Sequence, residues 1–497
     1  MIIELATVLI LLGSGAAILA GGGLRGWVLT PLGFIVGVAL QITVGSVQAI
    51  TPLPTAPVIT FGLSAAVALI WLTWRRALGD LLLGAGTPVL VASAVTAGLA
   101  AAFRATELVN WHTDSFRYAL TGSLLATDNY DAVIINLVGK RLLGVPLMHA
   151  PAHLGGEYYL RSVVPILAIS TLLVLVWLCR IGLESRLGTR WATGVGILGA
   201  LLLVSINRFI FHAFYINGHL LFATLLLLIV GASWLRLRGA PVPVEALNAM
   251  QWLAIPAVVV TRAEGGLMAA LALLPFIVSR DVPVRTRRTS LLVLGMALLA
   301  WNGFVGSVHV AEEGHLAVSV VGMLGLGGVS LIGAAALGLL SIQRPLDRAP
   351  LAAETGLWVA LVVFAVRDPG LLTTSVDATV SNLVLNQGAW GISLIVLLLL
   401  VTHVLVFSRD LDRLVIRFPV TTFLPFSFLL VYLRDSPYRV GHGDSLNRMV
   451  MQILPLMVLL IAASVDARPR WPGRWPGSRA GPAGGATSQR LEAPAAP

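Results

Sequence analysis

The chain has 497 residues, of which 57 % are hydrophobic and only 11 % are charged, and its formal net charge is +10. Soluble globular domains carry roughly a quarter charged residues, so this composition excludes a protein whose whole surface faces water. The basic excess suggests nucleic-acid binding at first, but the positions of the arginines fit a membrane topology better, and we expect no nucleic-acid partner. The single cysteine, Cys179, excludes an intramolecular disulfide.

Four apolar segments come first in the chain. They cover residues 2–20, 27–47, 57–74 and 81–103, and each is near the roughly 20 residues that span a bilayer. The first segment contains Glu4, and the first basic residue, Arg25, follows it. Because a cleavable signal peptide has the reverse order of charge, we expect a retained helix whose N-terminus lies outside.

A polar-rich stretch, residues 104–161, separates these segments from eleven more. The eleven are residues 163–178, 191–206, 214–235, 247–260, 267–278, 291–308, 316–340, 351–366, 390–407, 418–433 and 449–465. The segments 247–260 and 267–278 are short, and arginine-rich sequence flanks the pair on both sides. The chain must therefore return to the side it left, as two short helices or as a re-entrant pair, which excludes a single kinked span.

Arginine placement predicts the topology, because positive charge is retained in cytoplasmic loops. Assigning alternate loops to the cytoplasm places 22 of the 33 basic residues there without any shift of parity. We therefore predict an all-α integral membrane protein with about 15 transmembrane helices, located in a bacterial plasma (inner) membrane, with its C-terminus cytoplasmic. The membrane domain, residues 1–465, comprises extra N-terminal helices (1–80), a core (81–279) and C-terminal helices (280–465), and residues 466–497 form a disordered tail.

Histidines favour the predicted outer side. Only His403 lies in the middle of an apolar run. The other eight, at the outer side or its membrane boundary, are His112, His149, His153, His212, His219, His309, His315 and His442. Since polar residues at membrane depth usually line a cavity or serve a function, we expect the outer side to be the working side.

The external stretch 104–161 has two apolar stripes at helical spacing. Phe116, Leu120 and Leu124 form the first, with Arg117 and Tyr118 off that face. The second consists of Ile134, Ile135, Val138 and Leu142. The pattern predicts two amphipathic helices lying along the outer interface; the alternative is an ordinary loop packed on the membrane helices.

Asp114 is the candidate catalytic residue. It lies about ten residues beyond the fourth apolar segment, between Thr113 and Ser115. A carboxylate near a membrane surface can accept a proton from a sugar or lipid hydroxyl. All three residues are also good helix N-caps, so a capping role stays open.

His149, His153 and Glu157 are spaced four apart, as metal ligands on a helix would be. Pro151 between the histidines and Gly155 before the glutamate argue against a regular helix. Structural hydrogen bonding is therefore the favoured interpretation, and a divalent metal ion remains the alternative.

Arg262 and Glu264 stand between two short apolar segments. A guanidinium there can grip a phosphate bidentately while the carboxylate holds it in place. The alternative is a buried ion pair that fixes the turn between two helices.

The last external loop contains Arg434, Arg439, Asp444 and Arg448 at the mouth of the final helix. Such a loop can bind an anionic, lipid-linked phosphate with help from the helix dipole. The alternative is that Asp444 or Ser445 caps the helix and the arginines anchor the interface.

Several short motifs resemble those of the GT-C membrane glycosyltransferases, which include protein O-mannosyltransferases and lipid A aminoarabinose transferases. The motifs are Asp114 with Phe116-Arg117-Tyr118, Asn217-Gly218-His219, and Arg262-Ala263-Glu264-Gly265. They are spread over residues 81–279, less than half of the chain. Three helices precede the first core helix, the loop acid is single rather than paired, and the sequence carries no soluble C-terminal domain.

The resemblance implies an inverting transferase that takes a sugar from a polyprenyl-phosphate donor on the outer face. The acceptor would be an envelope glycan, a lipid or a protein. Asp114 would deprotonate or orient the acceptor, and Arg262, Arg434 and Arg439 would hold the donor phosphate. The other expected substrate-binding residues are Arg117, Tyr118, His219, Glu264 and Asp444. No cofactor is certain, and a divalent metal ion stays an option.

Two other functions remain open. An envelope-glycan polymerase or ligase would share the many helices and the large external loop, and it differs mainly in substrate. A non-enzymatic lipid or solute transporter often shows inverted repeats and ionisable residues at the midplane. Here no repeat is visible, and the ionisable residues cluster at one face, which favours the enzyme.

Overall fold

The computed structural model describes residues 2–75, 86–105, 113–129, 133, 142–339, 348–407 and 414–465. Within those residues the chain is mostly helical and contains no strand. The predicted disordered tail and most of the second amphipathic stripe lie outside the described residues.

The described part of the chain forms twenty α-helices. The first ten are α1 (Ile2–Gly21), α2 (Leu29–Ala49), α3 (Pro57–Trp74), α4 (Gly86–Ala105), α5 (Thr113–Ala126), α6 (Gly144–His149), α7 (Val163–Leu187), α8 (Thr189–Val204), α9 (Asn207–Ala213) and α10 (Gly218–Leu237). The rest are α11 (Val244–Val259), α12 (Gly265–Val278), α13 (Val284–Glu313), α14 (Val318–Leu339), α15 (Ala349–Arg367), α16 (Pro369–Leu383), α17 (Ile392–Phe407), α18 (Leu414–Arg434), α19 (Ser445–Met449) and α20 (Leu454–Ser464). Short 3₁₀ turns, Ala150–Gly155 and Val450–Ile453, follow α6 and α19.

Every apolar segment identified in the sequence coincides with a helix. By length and apolarity, ten helices of the described chain can cross a membrane, counting Ser445–Ser464 as one. An eleventh arises if α8 and α9, which meet at 82°, form one span. Four apolar helices are shorter: Ala94–Phe103 within α4, α11, α12 and α17. The all-α, multi-pass class is confirmed, and the count of about fifteen spans stays a prediction.

The centre of the bundle is α10. Of its apolar window, 89 % is buried, against 11 % for α15. α10 is apolar all round because other helices surround it, whereas α15 keeps large apolar side chains such as Val359 and Val362 exposed. In a membrane protein such a face suits lipid.

Small residues bring α1 and α2 into close contact. A Cβ at Gly37 would lie 1.8 Å from the Leu11 carbonyl oxygen, and one at Gly15 would lie 1.9 Å from the Gly33 carbonyl oxygen. Helices in membranes associate largely through such close backbone packing.

Gly37→Ala is therefore expected to lower the free energy of unfolding by about 1–3 kcal/mol or more, because the methyl group overlaps backbone that cannot rotate away. The readout is thermal unfolding of the purified protein in detergent. Gly13→Ala is the matched control on the same helix pair, because nothing lies within 4 Å of a Cβ there. Equal melting temperatures for the two variants would contradict the packing argument.

A helix, α5, forms where the first apolar stripe predicted one, and its position along a membrane interface stays a prediction. Its buried face carries Asp114, Tyr118 and Thr121, whereas Phe116 is 59 % exposed. The polar side chains of α5 that form hydrogen bonds or ion pairs lie on its buried face, and the Phe116 ring lies on the outside of the bundle.

Helix α6, which follows α5, packs against the turn between α11 and α12. The Gly144 amide donates to the Val260 carbonyl at 3.2 Å, and a Cβ at Gly144 would lie 2.3 Å from Thr261 Oγ1. The Gln41 side chain of α2 donates to the Leu147 carbonyl at 2.9 Å. Together with the ion pair between Asp114 of α5 and Arg448 of α19, these contacts bring the starts of α5, α12 and α19 to one end of the bundle, here called the site end.

Candidate functional site

Asp114 forms an ion pair with Arg448 at the site end. The carboxylate is in the first turn of α5, and the guanidinium is on α19, 334 residues later in the chain. Both side chains are largely buried, at 11 % and 19 % exposure. The pair therefore joins α5 to the start of the last candidate membrane span, Ser445–Ser464.

A second buried ion pair lies in the turn before α12. Arg262 Nε donates to Glu264 Oε1 at 2.6 Å, and the Glu264 side chain is 2 % exposed. Gln452 Nε2 donates to the same oxygen at 2.8 Å. A Cβ at Gly265 would lie 2.1 Å from the Val258 carbonyl oxygen, so glycine lets this turn close.

His219, at the start of α10, completes this group, which we call the Arg262 cluster (His219, Arg262, Glu264 and Gln452). His219 Nε2 lies 3.5 Å from Arg262 Nη1, and its Nδ1 lies 3.3 Å from Gln452 Nε2. Three separate parts of the chain thus hold one guanidinium in a fixed orientation.

The charge state of the Arg262–Glu264 pair follows from its surroundings. Burial alone would raise the pKa of the Glu264 carboxyl, but Arg262 and the Gln452 hydrogen bond outweigh it and hold the pKa below its ordinary value. Burial likewise opposes the charge on Arg262, and Glu264 outweighs it and raises the Arg262 pKa. Glu264 is therefore an ionised group that holds Arg262, and it has little capacity to act as a base near neutral pH.

A cavity of about 500 Å³ lies beside the Asp114–Arg448 pair. This falls within the roughly 300–1,000 Å³ of ordinary ligand pockets. The residues that line it are Asn207, Arg208, Phe211, Tyr215, Ala389, His442, Gly443 and Arg448.

The bend between α8 and α9 turns Arg208 into the wall of this cavity. Arg208 is 4 % exposed. Its Nε donates to the Gly388 carbonyl at 2.6 Å, and its Nη2 donates to the His442 carbonyl at 3.0 Å. Ala389, the residue after Gly388, has a φ of 58°. Since non-glycine residues rarely adopt this conformation, the turn is held by its surroundings in a strained form.

His212 lies between the cavity wall and the Arg262 cluster. Its ring centroid is 5.5 Å from that of Tyr215 and 5.6 Å from that of His219. The side chain is buried, and within the described chain neither ring nitrogen has a hydrogen-bond partner. Through these ring contacts His212 connects the cavity wall to the Arg262 cluster.

The structure brings together four of the site residues predicted from the sequence: Asp114, His219, Arg262 and Glu264. Tyr118 is buried and lies near enough to influence the charge of Arg262. Arg117, Arg434 and Arg439 are exposed.

Asp444 has the contacts of a helix cap. Its side chain accepts from the Asn447 amide at 3.0 Å and from the Arg439 amide at 2.8 Å. Both carboxylate oxygens of Asp444 accept hydrogen bonds from backbone N–H groups of the loop and of the helix start. These are the contacts expected of a helix N-cap. This cap orients α19 and with it Arg448.

Sequence reasoning missed Arg208, Tyr215 and Gln452. Arg208 lies between two apolar segments on the predicted outer side, where a charge beside a membrane boundary is a usable signal, and Tyr215 lies at the start of the second segment. Gln452 lies within the last apolar segment, and an amide there is a weaker signal of the same kind. Arg448 was recognised in its loop, but nothing in the sequence pairs it with Asp114.

The proposed metal ligands do not come together around an ion site. The Leu160 amide donates to His149 Nδ1 at 3.1 Å, and His153 Nδ1 lies 3.2 Å from Ser123 Oγ. Among residues that the structure describes, no group of three or more His, Cys, Asp or Glu side chains is arranged to hold a metal. The contacts of His149 and His153 are those of structural hydrogen bonding.

His149 is expected to make the stability of the protein depend on pH. Burial lowers the pKa of its imidazole from 6.5 to about 3. The unfolded chain therefore takes up a proton below pH 6.5 that the folded protein refuses until near pH 3. The free energy of unfolding falls by about 1.4 kcal/mol per pH unit across that window.

Thermal unfolding measured between pH 7.5 and 5 checks this. His149→Asn should flatten the fall in melting temperature, and His153→Asn, at an exposed position, should leave it unchanged. An identical pH slope in wild type and His149→Asn would show that another group is responsible.

The fold and the site together define a class: a multi-pass, all-α membrane protein with buried ion pairs and a cavity at one end of its helix bundle. No known protein family, curated protein or solved structure matches the chain. The functional assignment must therefore be argued from the site itself.

Proposed function

We propose that the protein is a membrane glycosyltransferase of the GT-C type, which transfers a sugar from a polyprenyl-phosphate donor to an envelope glycan, lipid or protein. The observation that carries this proposal is the convergence of Asp114, Arg448 and Arg262 beside a cavity at one end of a helix bundle. A reaction of this kind needs a base, cationic groups near the leaving phosphate and access for two substrates.

Asp114 is the base in this proposal. The acceptor hydroxyl loses its proton to the Asp114 carboxylate as its oxygen attacks the anomeric carbon. The bond between that carbon and the phosphate oxygen breaks, the phosphate leaves with the electron pair, and the configuration inverts. Arg448 holds the carboxylate in place, which matters because a general base must lie within hydrogen-bond reach of the proton it takes.

Arg262 is the positioned cation. Gln452 holds Glu264, and Glu264 in turn holds Arg262 from one side, so the remaining N–H groups of Arg262 have a set direction. A preoriented guanidinium can stabilise the charge that develops on the leaving phosphate without reorganising. Arg434 and Arg439, on the exposed loop, are placed to meet an anionic headgroup before it reaches the site.

The side of the membrane on which the site end lies is also part of this proposal. The arginine distribution assigns the site end to the outer face of a bacterial plasma (inner) membrane, with the C-terminus in the cytoplasm. Donor, acceptor and surrounding lipids would then meet on the outer face. Labelling that placed the Asp114 segment in the cytosol would contradict the proposal.

The test is a transfer assay in proteoliposomes. Purified protein is incubated with radiolabelled polyprenyl-phosphate sugars and with acceptors from the cell envelope, and release of polyprenyl phosphate is followed. Protein-dependent release with labelled product is expected, and comparing envelope glycans and lipids from cells with and without the protein names the acceptor. Movement of lipid or solute across the bilayer with no donor consumed would favour a transporter, and a lengthened glycan product would favour a polymerase or ligase.

A further inference from the structure

Among the residues that the structure describes, three guanidiniums at the site end are buried or largely buried, and two of them face carboxylates. Arg262 pairs with Glu264, and Arg448 pairs with Asp114. Arg208 has no carboxylate partner among the residues that the structure describes.

None of the partners of Arg208 is an anion. They are the carbonyl oxygens of Gly388 and His442, the His442 Nδ1 atom at 3.1 Å and the Phe211 ring, whose centroid is 5.1 Å from Cζ. A buried charge without a counter-charge is strongly unfavourable unless something supplies one. The described part of the chain supplies no counter-charge to Arg208, and a bound anion in the cavity that Arg208 lines would supply one.

The cavity wall is largely apolar, and its permanently charged groups are both cationic. Arg208 and Arg448 both line it, and none of its eight lining residues carries a carboxylate. Since arginine can only donate, His442 Nδ1 accepts from it, which places the ring hydrogen of neutral His442 on Nε2 as a further donor. The Asn207 amide adds two N–H groups. This composition suits an oxyanion and disfavours a cation.

The cavity is also larger than a lone oxyanion needs. At about 500 Å³ it has room for an organic group next to the anion, and Phe211 and Tyr215 form an aromatic part of its wall. Aromatic faces in such sites pack against the apolar faces of rings.

We propose that this cavity is an anion-binding site in which a phosphate group lies between Arg208 and Arg448, with the attached organic group against Phe211 and Tyr215. Because Arg448 also holds Asp114, the bound anion and the Asp114 carboxylate share one guanidinium. The charges alone define the site, and the inference rests on the proposed function only for the source of the anion, a polyprenyl phosphate.

Binding measured without turnover tests the site. Full-length protein in nanodiscs is titrated with inorganic phosphate and, separately, with polyprenyl phosphate incorporated in the bilayer, and affinity is read from calorimetry and thermal shift. Losing one hydrogen bond to a charged group weakens binding by about ten-fold or more, which is expected for Arg208→Gln. Arg208→Lys keeps the charge without the planar fork and should bind with intermediate affinity. It also serves if the glutamine variant fails to fold.

Arg367→Gln is the matched control, because Arg367 is exposed at the end of α15 and outside the cavity. Weaker binding of either phosphate probe by Arg208→Gln, with Arg367→Gln unchanged, supports the site. If only polyprenyl phosphate binds, the anion is a lipid headgroup, and if only inorganic phosphate binds, it is a soluble phosphate. Equal affinity of wild type and both Arg208 variants for both probes overturns the proposal. Normal phosphate binding with no sugar transfer would refute the proposed function and leave this site standing.

Discussion

The Asp114→Asn variant is expected to insert and fold, and to transfer sugar roughly 10²–10⁴-fold more slowly than the wild type, the range of a lost general base. The asparagine has the shape of aspartate, and its Oδ1 can still accept from Arg448, so the join between α5 and α19 is kept. What it loses is the capacity to take a proton. Single-turnover transfer from a radiolabelled donor in proteoliposomes measures the chemical step directly.

Two further variants separate a chemical role from a structural one. Asp377→Asn makes the same change at an exposed position on α16 and should transfer at the wild-type rate. Asp114→Glu keeps a carboxylate in a displaced position and should recover part of the activity, with a pH profile that still depends on a carboxyl group. Wild-type rates for Asp114→Asn would remove the base assignment.

Glu264→Ala is expected to lower the free energy of unfolding by about 3–5 kcal/mol, the usual effect of breaking a buried ion pair from one side. The substitution leaves the Arg262 guanidinium buried without its carboxylate and removes the acceptor of the Gln452 hydrogen bond. Thermal and denaturant unfolding in detergent provide the measurement. The double variant Arg262→Met/Glu264→Leu should recover much of the loss, because no unpaired charge then remains.

The exposed pair Arg75–Glu245 is the matched control. The Arg75 and Glu245 charged atoms are 3.7 Å apart and the side chains are 39 % and 46 % exposed, so Glu245→Ala should lower the free energy of unfolding by about 1 kcal/mol or less.

The effect of pH on the Glu264 variants follows from the lowered pKa of Glu264. Its contribution is present above the ordinary carboxyl pKa and is lost as the pH falls through the folded-state value, so the advantage of wild type over Glu264→Gln should shrink in acid. If Glu264→Ala lowered the free energy of unfolding as little as Glu245→Ala, the Arg262–Glu264 pair would not be buried in the folded protein.

Helix positions could be predicted well from the sequence, because the apolar runs are long and separated by charge. Residues 57–74 were predicted and observed with the same limits, and the two short segments around Arg262 are separate helices, α11 and α12. The length of several helices was underestimated. α13 runs from Val284 to Glu313, beyond both ends of its apolar run, because polar residues also continue a helix outside the hydrocarbon layer. α16 was missed, since its polar side chains hide the helical period.

The candidate site could be predicted only in part. The acid, the guanidinium and the histidine that starts α10 were all found, because charged and polar residues are conspicuous in an apolar chain. Their partners were not found. The link from Asp114 to Arg448 spans 334 residues, and a pattern with a period of one helix turn carries no information about which helix ends meet.

The amino-acid sequence by itself determined that this is a multi-pass helical membrane protein, because a hydrocarbon layer tolerates few charges and makes the exceptions visible. Tertiary structure alone decided which of those charges neutralise each other. The 82° bend before Arg208 and the closure of the turn at Gly265 place three guanidiniums and two carboxylates in one buried region. That arrangement depends on backbone direction and close packing, which local sequence does not specify.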